Sequence, residues 1–320
     1  MRIFLDGFPD IPGTTILERR SNFRNHFDQL RTALMWEPRG HADMYGCIIV
    51  PPESADADFG VLFTHNEGYS SMCGHGIIAV VTALLETGVL EKRGSDQGVL
   101  RIDTPAGRVT ASAAVKDGRV ERVTFENVPS FVVELAASID VPGCGEVSYD
   151  LAYGGAFYAY VRGDQFDPPV RCLPEEHDRM IQLGRLIKQR IIHSRMIEHP
   201  FQTDLSFLYG TIFTAPPQDS HNHSRNCCIF ADGELDRSPT GTGVSGRAAI
   251  HYMKGELDLG QTITIESVLG TCFDVQATRA TAFGPYQAVI PAVSGQAFIT
   301  GRHEFLIAPD DPLKAGFLFR

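Results

Sequence analysis

No run of 18 or more apolar residues occurs in the 320-residue chain, so the sequence offers no membrane-spanning helix. Basic residues are scarce, 28 against 39 acidic, and a net charge of −11 argues against a nucleic-acid partner, which needs basic stripes. Seven cysteines (47, 73, 144, 172, 227, 228 and 272) are odd in number and form no CxxC pair. Neither a disulfide framework nor a zinc site follows, and reduced thiols are expected. No G-x-G-x-x-G stands in a dinucleotide-binding setting, and no phosphate-binding P-loop is present. The opening MRIFLDGFPDIPG lacks the apolar stretch of a signal peptide, so a cytoplasmic location is expected. What remains is an ordinary globular composition, 43% hydrophobic and 21% charged, long enough for one large domain or two smaller ones. An acidic chain can still take an anionic small substrate, because helix N-termini bind carboxylates through backbone N–H groups.

Along the chain, residues 22–36 place apolar side chains at helical spacing, and Pro38 stops the run. Segments 45–50 and 59–64 read as strands. A small-residue loop, GYSSMCGHG, then enters the apolar run IIAVVTALLETGVL, which reads as a buried helix capped near Gly88. Residues 98–127 alternate as a hairpin would, turning at Pro105–Gly107. After Pro142-Gly143 the plan repeats. Strands near 147–151 and 156–162 lead to a helix from Glu175 to about Ser194, and further strands follow at 206–214 and 227–231. Another turn-rich loop, DRSPTGTG, enters the helical segment VSGRAAIHYMKGEL, and alternating strands run through 262–300.

The two loop–helix junctions overlay. Cys73-Gly74-His75-Gly76 leads one and Thr240-Gly241-Thr242-Gly243 the other, with a glycine, Gly88 or Gly255, fifteen residues after each leader. A tandem α/β duplication with a site in the cleft between its halves is expected. The expected halves are 1–145, with the tail 301–320 packing back on it, and 146–300.

Each helix start leaves its first N–H groups without intrahelical partners and carries partial positive charge. Glycines there let a ligand approach the backbone, so a pair of such termini can cradle a carboxylate without arginine. A cysteine at one of them is primed, because helix N-termini lower a thiol pKa from about 8.5 toward neutrality. Cys73 stands at such a place. Cys47, Cys144, Cys172, Cys227, Cys228 and Cys272 read as inert packing. His75, two residues on, can tune the sulfur or donate to a substrate. Asp236 reads either as a turn residue before a proline or as an acceptor for a substrate ammonium. Arg237 reads equally as a structural partner or a substrate contact. His221 and HSRN at 223–226 lack the acidic or cysteine spacing that would make a metal cluster.

These segments resemble the proline racemase family. MCGHG at 72–76 and DRSPTGTG at 236–243 look like its two signature segments, and EPRGH at 37–41, YGGAFYA at 153–159 and HSRN at 223–226 resemble it as well. The likeness runs to the closing GFLFR. It implies a diaminopimelate-epimerase-like α/β fold in which each half wraps strands around a central helix. It also implies that no metal, flavin, nicotinamide or pyridoxal cofactor is needed, and that the chain forms a homodimer.

Carried over by position, Cys73 matches the family's first catalytic cysteine, and Thr240 stands where racemases and 4-hydroxyproline epimerases have a second. That exchange marks the trans-3-hydroxy-L-proline dehydratases. The backbone N–H groups of Gly74, His75, Gly241 and Thr242 are then expected to bind the substrate carboxylate. Asp236 and the His75 side chain would hold the ring nitrogen. Two alternatives stand beside dehydration: a racemase or epimerase that tolerates Thr240, and an inactive paralogue that binds without turnover. The second arises because family members begin with a strand carrying an HTGGEP-like segment, which does not precede MRIFLDGFPDIPG here; losing a core strand would expose backbone groups.

Overall fold

The computed structural model describes residues 1–89 and 98–319. Leu90 and Arg320, the last residues of the expected helix run and of GFLFR, lie outside them. The chain divides into two compact units. The first holds 1–72, 76–123 and 296–320; the second holds 73–75 and 124–295.

In the first unit, β1 (Arg2–Phe4), β2 (Tyr45–Val50), β3 (Phe59–His65), β5 (Val99–Thr104), β6 (Gly107–Lys116) and β7 (Arg119–Glu126) lie in that order, and β4 (Tyr69–Ser70) pairs with β3. The helix expected over 22–36 is two helices, α1 (Ile16–His26) and α2 (Asp28–Met35), broken at Phe27. The sequence marks α1's start with a capping box, in which the Thr15 hydroxyl accepts from the Glu18 N–H and the Glu18 carboxylate accepts in return. Ile16 and Phe23 pack with Ile48, Val50 and Leu62 into a core cluster. α3 (Gly74–Glu86) carries the apolar run from sequence, and Ile77, Ile78, Val80, Val81 and Leu84 are buried. Gly88 follows it with φ +70°, the left-handed turn of a glycine C-cap. The tail is tied to the region of EPRGH: Glu37 bridges Phe317, and Arg39 pairs with Asp311.

The second unit contains β8 (Ser130–Val141), β9 (Gly145–Tyr153), β10 (Phe157–Arg162), α4 (His177–Ser194), β11 (Leu208–Ala215), β12 (Ser224–Phe230), β13 (Glu234–Leu235), α5 (Gly241–Met253), β14 (Thr262–Glu266), β15 (Cys272–Phe283) and β16 (Tyr286–Gly295). The order β16-β15-β14-β12-β11-β10-β9-β8 closes on itself, because β8 also pairs with β16. The two helices differ as their sequences require. α4 buries a single stripe, Met180, Gly184, Ile187 and Ile191, against β8, β11 and β12. α5 is buried continuously from Gly241 to Ile250, against β8, β9, β15 and β16, so the strands wrap around it.

β8 was not foreseen. Its run SFVVELAASIDV breaks alternation through register shifts at Val132/Glu134 and Glu134/Ala137, with Ala136 at φ +52°. It pairs with β9 along most of its length, which draws 124–145 into the second unit. The exchange expected at 145/146 falls at the start of β9, inside that hairpin.

Candidate active site

The first turn of α3, Cys73–His75, belongs to the second unit, and there it meets the start of α5. A Cβ built on Gly241 would lie 2.5 Å from the Cα of Gly74, so the two helix starts touch backbone to backbone. Only glycine fits at either position. Gly154 meets the same helix: a Cβ on it would run into the Thr242 carbonyl and the Gly246 N–H. The YGGAFYA segment thus lets the strands close on α5.

Thr240 precedes α5 with φ +66°, a conformation that β-branched residues rarely adopt. Three bonds hold it there. Its N–H donates to Ser238 Oγ (3.0 Å), its carbonyl accepts from the Val244 N–H (2.8 Å), and its hydroxyl donates to Asp236 Oδ2 (2.8 Å). A residue in this place usually caps the helix through its side chain, but Thr240 makes no side-chain cap. Its hydroxyl serves Asp236 instead, so the first N–H groups of α5 receive no cap from this side chain.

Asp236 is buried, and its Oδ1 accepts the Ser238 N–H at 2.8 Å, an Asx-turn. Of the two readings from sequence, this bond shows the turn. Oδ2 lies 3.6 Å from His75 Nδ1, and Ser238 Oγ lies 3.4 Å from the same nitrogen. Burial alone would raise the Asp236 pKa. The facing imidazolium of His75, the Ser238 N–H and the Thr240 hydroxyl together reverse this and hold the carboxyl below its ordinary range. Burial likewise opposes a charged His75, whose side chain is 23% exposed. Charge on the Cys73 sulfur and on Asp236, with hydrogen bonds to both, prevails and pushes its pKa up to about 10. Its place between a sulfur and a carboxylate thus favours the imidazolium form of His75.

Cys73, Gly74, His75, Asp236, Thr240, Gly241 and Thr242 are therefore brought together. Arg237 is exposed and donates to the Leu235 carbonyl (2.7 Å). HSRN supports the site from behind. Asn226 donates to the Pro239 carbonyl (3.1 Å) just ahead of Thr240, and buried Arg247 of α5 donates to Ser224 and Asn226. Arg225 forms a buried pair with Glu266, and His221 is exposed beside Asp219. Among the described residues, no three His, Cys, Asp or Glu side chains are grouped so as to hold a metal ion.

Two contributors were missed. Ser238 links Asp236, Thr240 and His75. The Tyr158 hydroxyl lies 2.8 Å from the Thr242 hydroxyl. The Asp-x-Ser spacing could have revealed the first; nothing local marks the other.

The residue types gathered here are those that chemistry at the Cα of an amino acid would use. N–H groups at helix starts suit a carboxylate, an anion suits an ammonium, and a thiol that a neighbouring imidazolium helps to ionise suits proton abstraction. The family model for proline racemase matches residues 1–318, and the chain belongs to that family. It is 49% identical over 320 residues to a trans-3-hydroxy-L-proline dehydratase of Colwellia psychrerythraea, covering all of this chain and 89% of that one. It is 45% identical over 319 residues to a 3-hydroxyproline 2-epimerase of Burkholderia multivorans, covering all of this chain and 94% of that one. Among solved structures, a hydroxyproline epimerase from Agrobacterium vitis with bound trans-4-hydroxy-L-proline superposes with a TM-score of 0.91 at 33% identity, covering 99% of this chain and 91% of that one. The fold is the diaminopimelate-epimerase-like α/β fold of this family.

Proposed function

We propose that the protein is a hydro-lyase that removes water from trans-3-hydroxy-L-proline, with Cys73 as the base. One observation carries this reading: of the two helix starts, one presents a thiol beside an imidazolium, and the other a hydroxyl already committed to Asp236. Racemisation needs a proton carrier on each face of Cα. A threonine hydroxyl titrates far too high for that task, so only one face is served.

The substrate carboxylate is received by the N–H groups of Gly74, His75, Gly241 and Thr242, and its ring ammonium by Asp236 and His75. Two cations would face each other there, so binding of the ring ammonium releases the His75 proton to solvent. Negative charge that builds toward the carboxylate during deprotonation is stabilised by the same helix-end N–H groups. In trans-3-hydroxy-L-proline the Cα hydrogen and the hydroxyl share a face, so elimination is syn. The Cys73 sulfur takes the Cα proton, the Cα pair forms the C=C bond, the C3–O bond breaks, and the new thiol returns its proton to the departing hydroxide. The products are water and Δ2-pyrroline-2-carboxylate, which tautomerises unaided to the Δ1 form. Thr240, whose hydroxyl proton points at Asp236, stands aside from this transfer. The scattered cysteines support a reducing cytoplasm as the working compartment, and the family supports a homodimer.

The relative named as a 2-epimerase favours a second reading, inversion at Cα. Incubation with trans-3-hydroxy-L-proline separates the two: pyrroline-carboxylate supports dehydration, and the 2-epimer without it supports inversion. Binding without Cα–H exchange in heavy water would show an inactive paralogue. Unchanged turnover in Cys73→Ser would sink the mechanism.

A further inference from the structure

We propose that Ser245, held in place by Asn127, is a positioning residue for substrate binding: its hydroxyl backs the peptide unit that presents the Thr242 N–H, one of the donors that receive the carboxylate. The inference deepens the dehydratase reading and, as a statement about the substrate, rests on it.

Both residues are buried, and neither belongs to the signature segments. Asn127 lies between β7 and β8, where its backbone N–H donates to the Pro291 carbonyl at 2.8 Å. Its side-chain amide makes three further bonds. Oδ1 accepts the Val128 N–H (2.8 Å), and Nδ2 donates to the Gly154 carbonyl (2.8 Å) and to Ser245 Oγ (2.8 Å). Ser245 Oγ in turn lies 2.8 Å from the Gly241 carbonyl, one helical turn back along α5.

The polarity of this chain follows from counting protons. A carbonyl can only accept, so the nitrogen of the Asn127 amide faces Gly154, and both of its protons are then used. Ser245 Oγ accepts one of them, and its single proton goes to the Gly241 carbonyl. That carbonyl shares a trans peptide plane with the Thr242 N–H, which points the other way, out of the helix start. A hydrogen bond accepted at the oxygen strengthens the donor at the nitrogen, because bonds in a chain polarise one another. It also fixes the tilt of the plane, and with it the aim of the N–H.

The hydroxyl gives α5 itself little. Alanine is the better helix former, and a serine that bonds back to the preceding turn slightly weakens a helix. The start of α3 has no matching hydroxyl: Ile78 stands after Gly74 where Ser245 stands after Gly241. The α5 start is therefore the reinforced half of the carboxylate cradle.

The experiment uses the full-length protein with Ser245→Ala, which only subtracts an oxygen, and Asn127→Ala, which frees the serine hydroxyl to turn. In Ser245→Ala the KM for trans-3-hydroxy-L-proline should rise about fivefold, the loss of one such hydrogen bond, with a smaller fall in kcat. Asn127→Ala should show part of that rise, and adding it to Ser245→Ala should raise KM no further. Calorimetry supplies a second readout. Ser245→Ala should bind L-proline about fivefold more weakly, and the loss should be clearly smaller for L-prolinamide, the same ring without the anion. In NMR spectra the amide proton of Thr242 should move upfield in Ser245→Ala. Wild-type KM and L-proline affinity in Ser245→Ala would overturn the proposal, as would an equal loss for L-prolinamide or an unmoved Thr242 amide. Should the wild type not consume trans-3-hydroxy-L-proline at all, the dehydratase reading fails, and L-proline binding with the Thr242 amide still decides the role of Ser245.

Discussion

Cys73-Gly74-His75-Gly76 and Thr240-Gly241-Thr242-Gly243 open helices of the same length, thirteen residues each. Each helix is followed by a glycine at φ +70°, Gly88 and Gly255. Gly74 and Gly241 even press their backbones against one another. The backbone plan is thus shared, and the chemistry divides at the leading residue and at the third. One start carries a thiol with a charged imidazole; the other carries two hydroxyls, each bound elsewhere, Thr240 to Asp236 and Thr242 beside Tyr158. Two matching helix starts with a single thiol between them fit the proposed enzyme, which removes a proton and does not return one to the opposite face.

The comparison breaks most sharply at its leaders. Cys73→Ser should lower dehydration by about a thousandfold, the middle of the range for losing a general base, while thermal unfolding stays near that of the wild type. Any Gly241→Ala chain must move one helix start off the other. That shift should cost about 1–3 kcal/mol in urea unfolding and lower kcat/KM by roughly a hundredfold, because both sets of N–H groups are displaced together. Thr240→Cys puts a thiol on the second face, and its unbranched Cβ eases the left-handed backbone. The variant should convert L-proline to D-proline, seen by chiral chromatography, with dehydration down roughly tenfold; no trace of D-proline would remove the two-face argument.

A gentler probe compares His75→Gln with the wild type in unfolding experiments across pH. The folded-state pKa of His75, about 10, lies above the ordinary 6.5, so its charge stabilises the fold in full below about pH 6.5. That contribution fades as pH rises through 10. The stability advantage of the wild type over His75→Gln should therefore shrink between pH 6.5 and 10. Asp236 behaves oppositely: its lowered pKa stabilises above the ordinary carboxyl range and is lost on acidification. The smallest effect should come from the matched glycines. Among the described residues, a Cβ on Gly88 or Gly255 meets nothing within 4 Å, so each Gly→Ala change should cost only the left-handed backbone penalty, about 1 kcal/mol, and the two costs should be nearly equal.

Much of this was legible because it is local. Glycine-rich loops running into continuous apolar segments mark α3 and α5, and α4 shows its single buried stripe as a helical period. Cys73, His75, Asp236 and Thr240 stood out for the same reason, since each lies within a few residues of a helix start. The break at Phe27 and the strand β8 were not legible, because neither follows from the period of its own segment. In β8 the register shifts scramble the alternation on which a strand is recognised.

Sequence by itself determined the pair of helix starts, the identity of the two leaders and the glycines that a close backbone approach demands. Those are short-range properties, carried by residue type and spacing. Tertiary structure decided what each leader does. Thr240 could cap its helix, face a ligand or bind Asp236, and only the fold of the 236–240 loop directs its hydroxyl to the carboxylate. Cys227 and Cys228 are neighbours of one type on a strand buried along its whole length, so hydrophobic pattern cannot tell them apart. Alternation along β12 sends them to opposite faces, and what each face meets is contributed by residues distant in sequence.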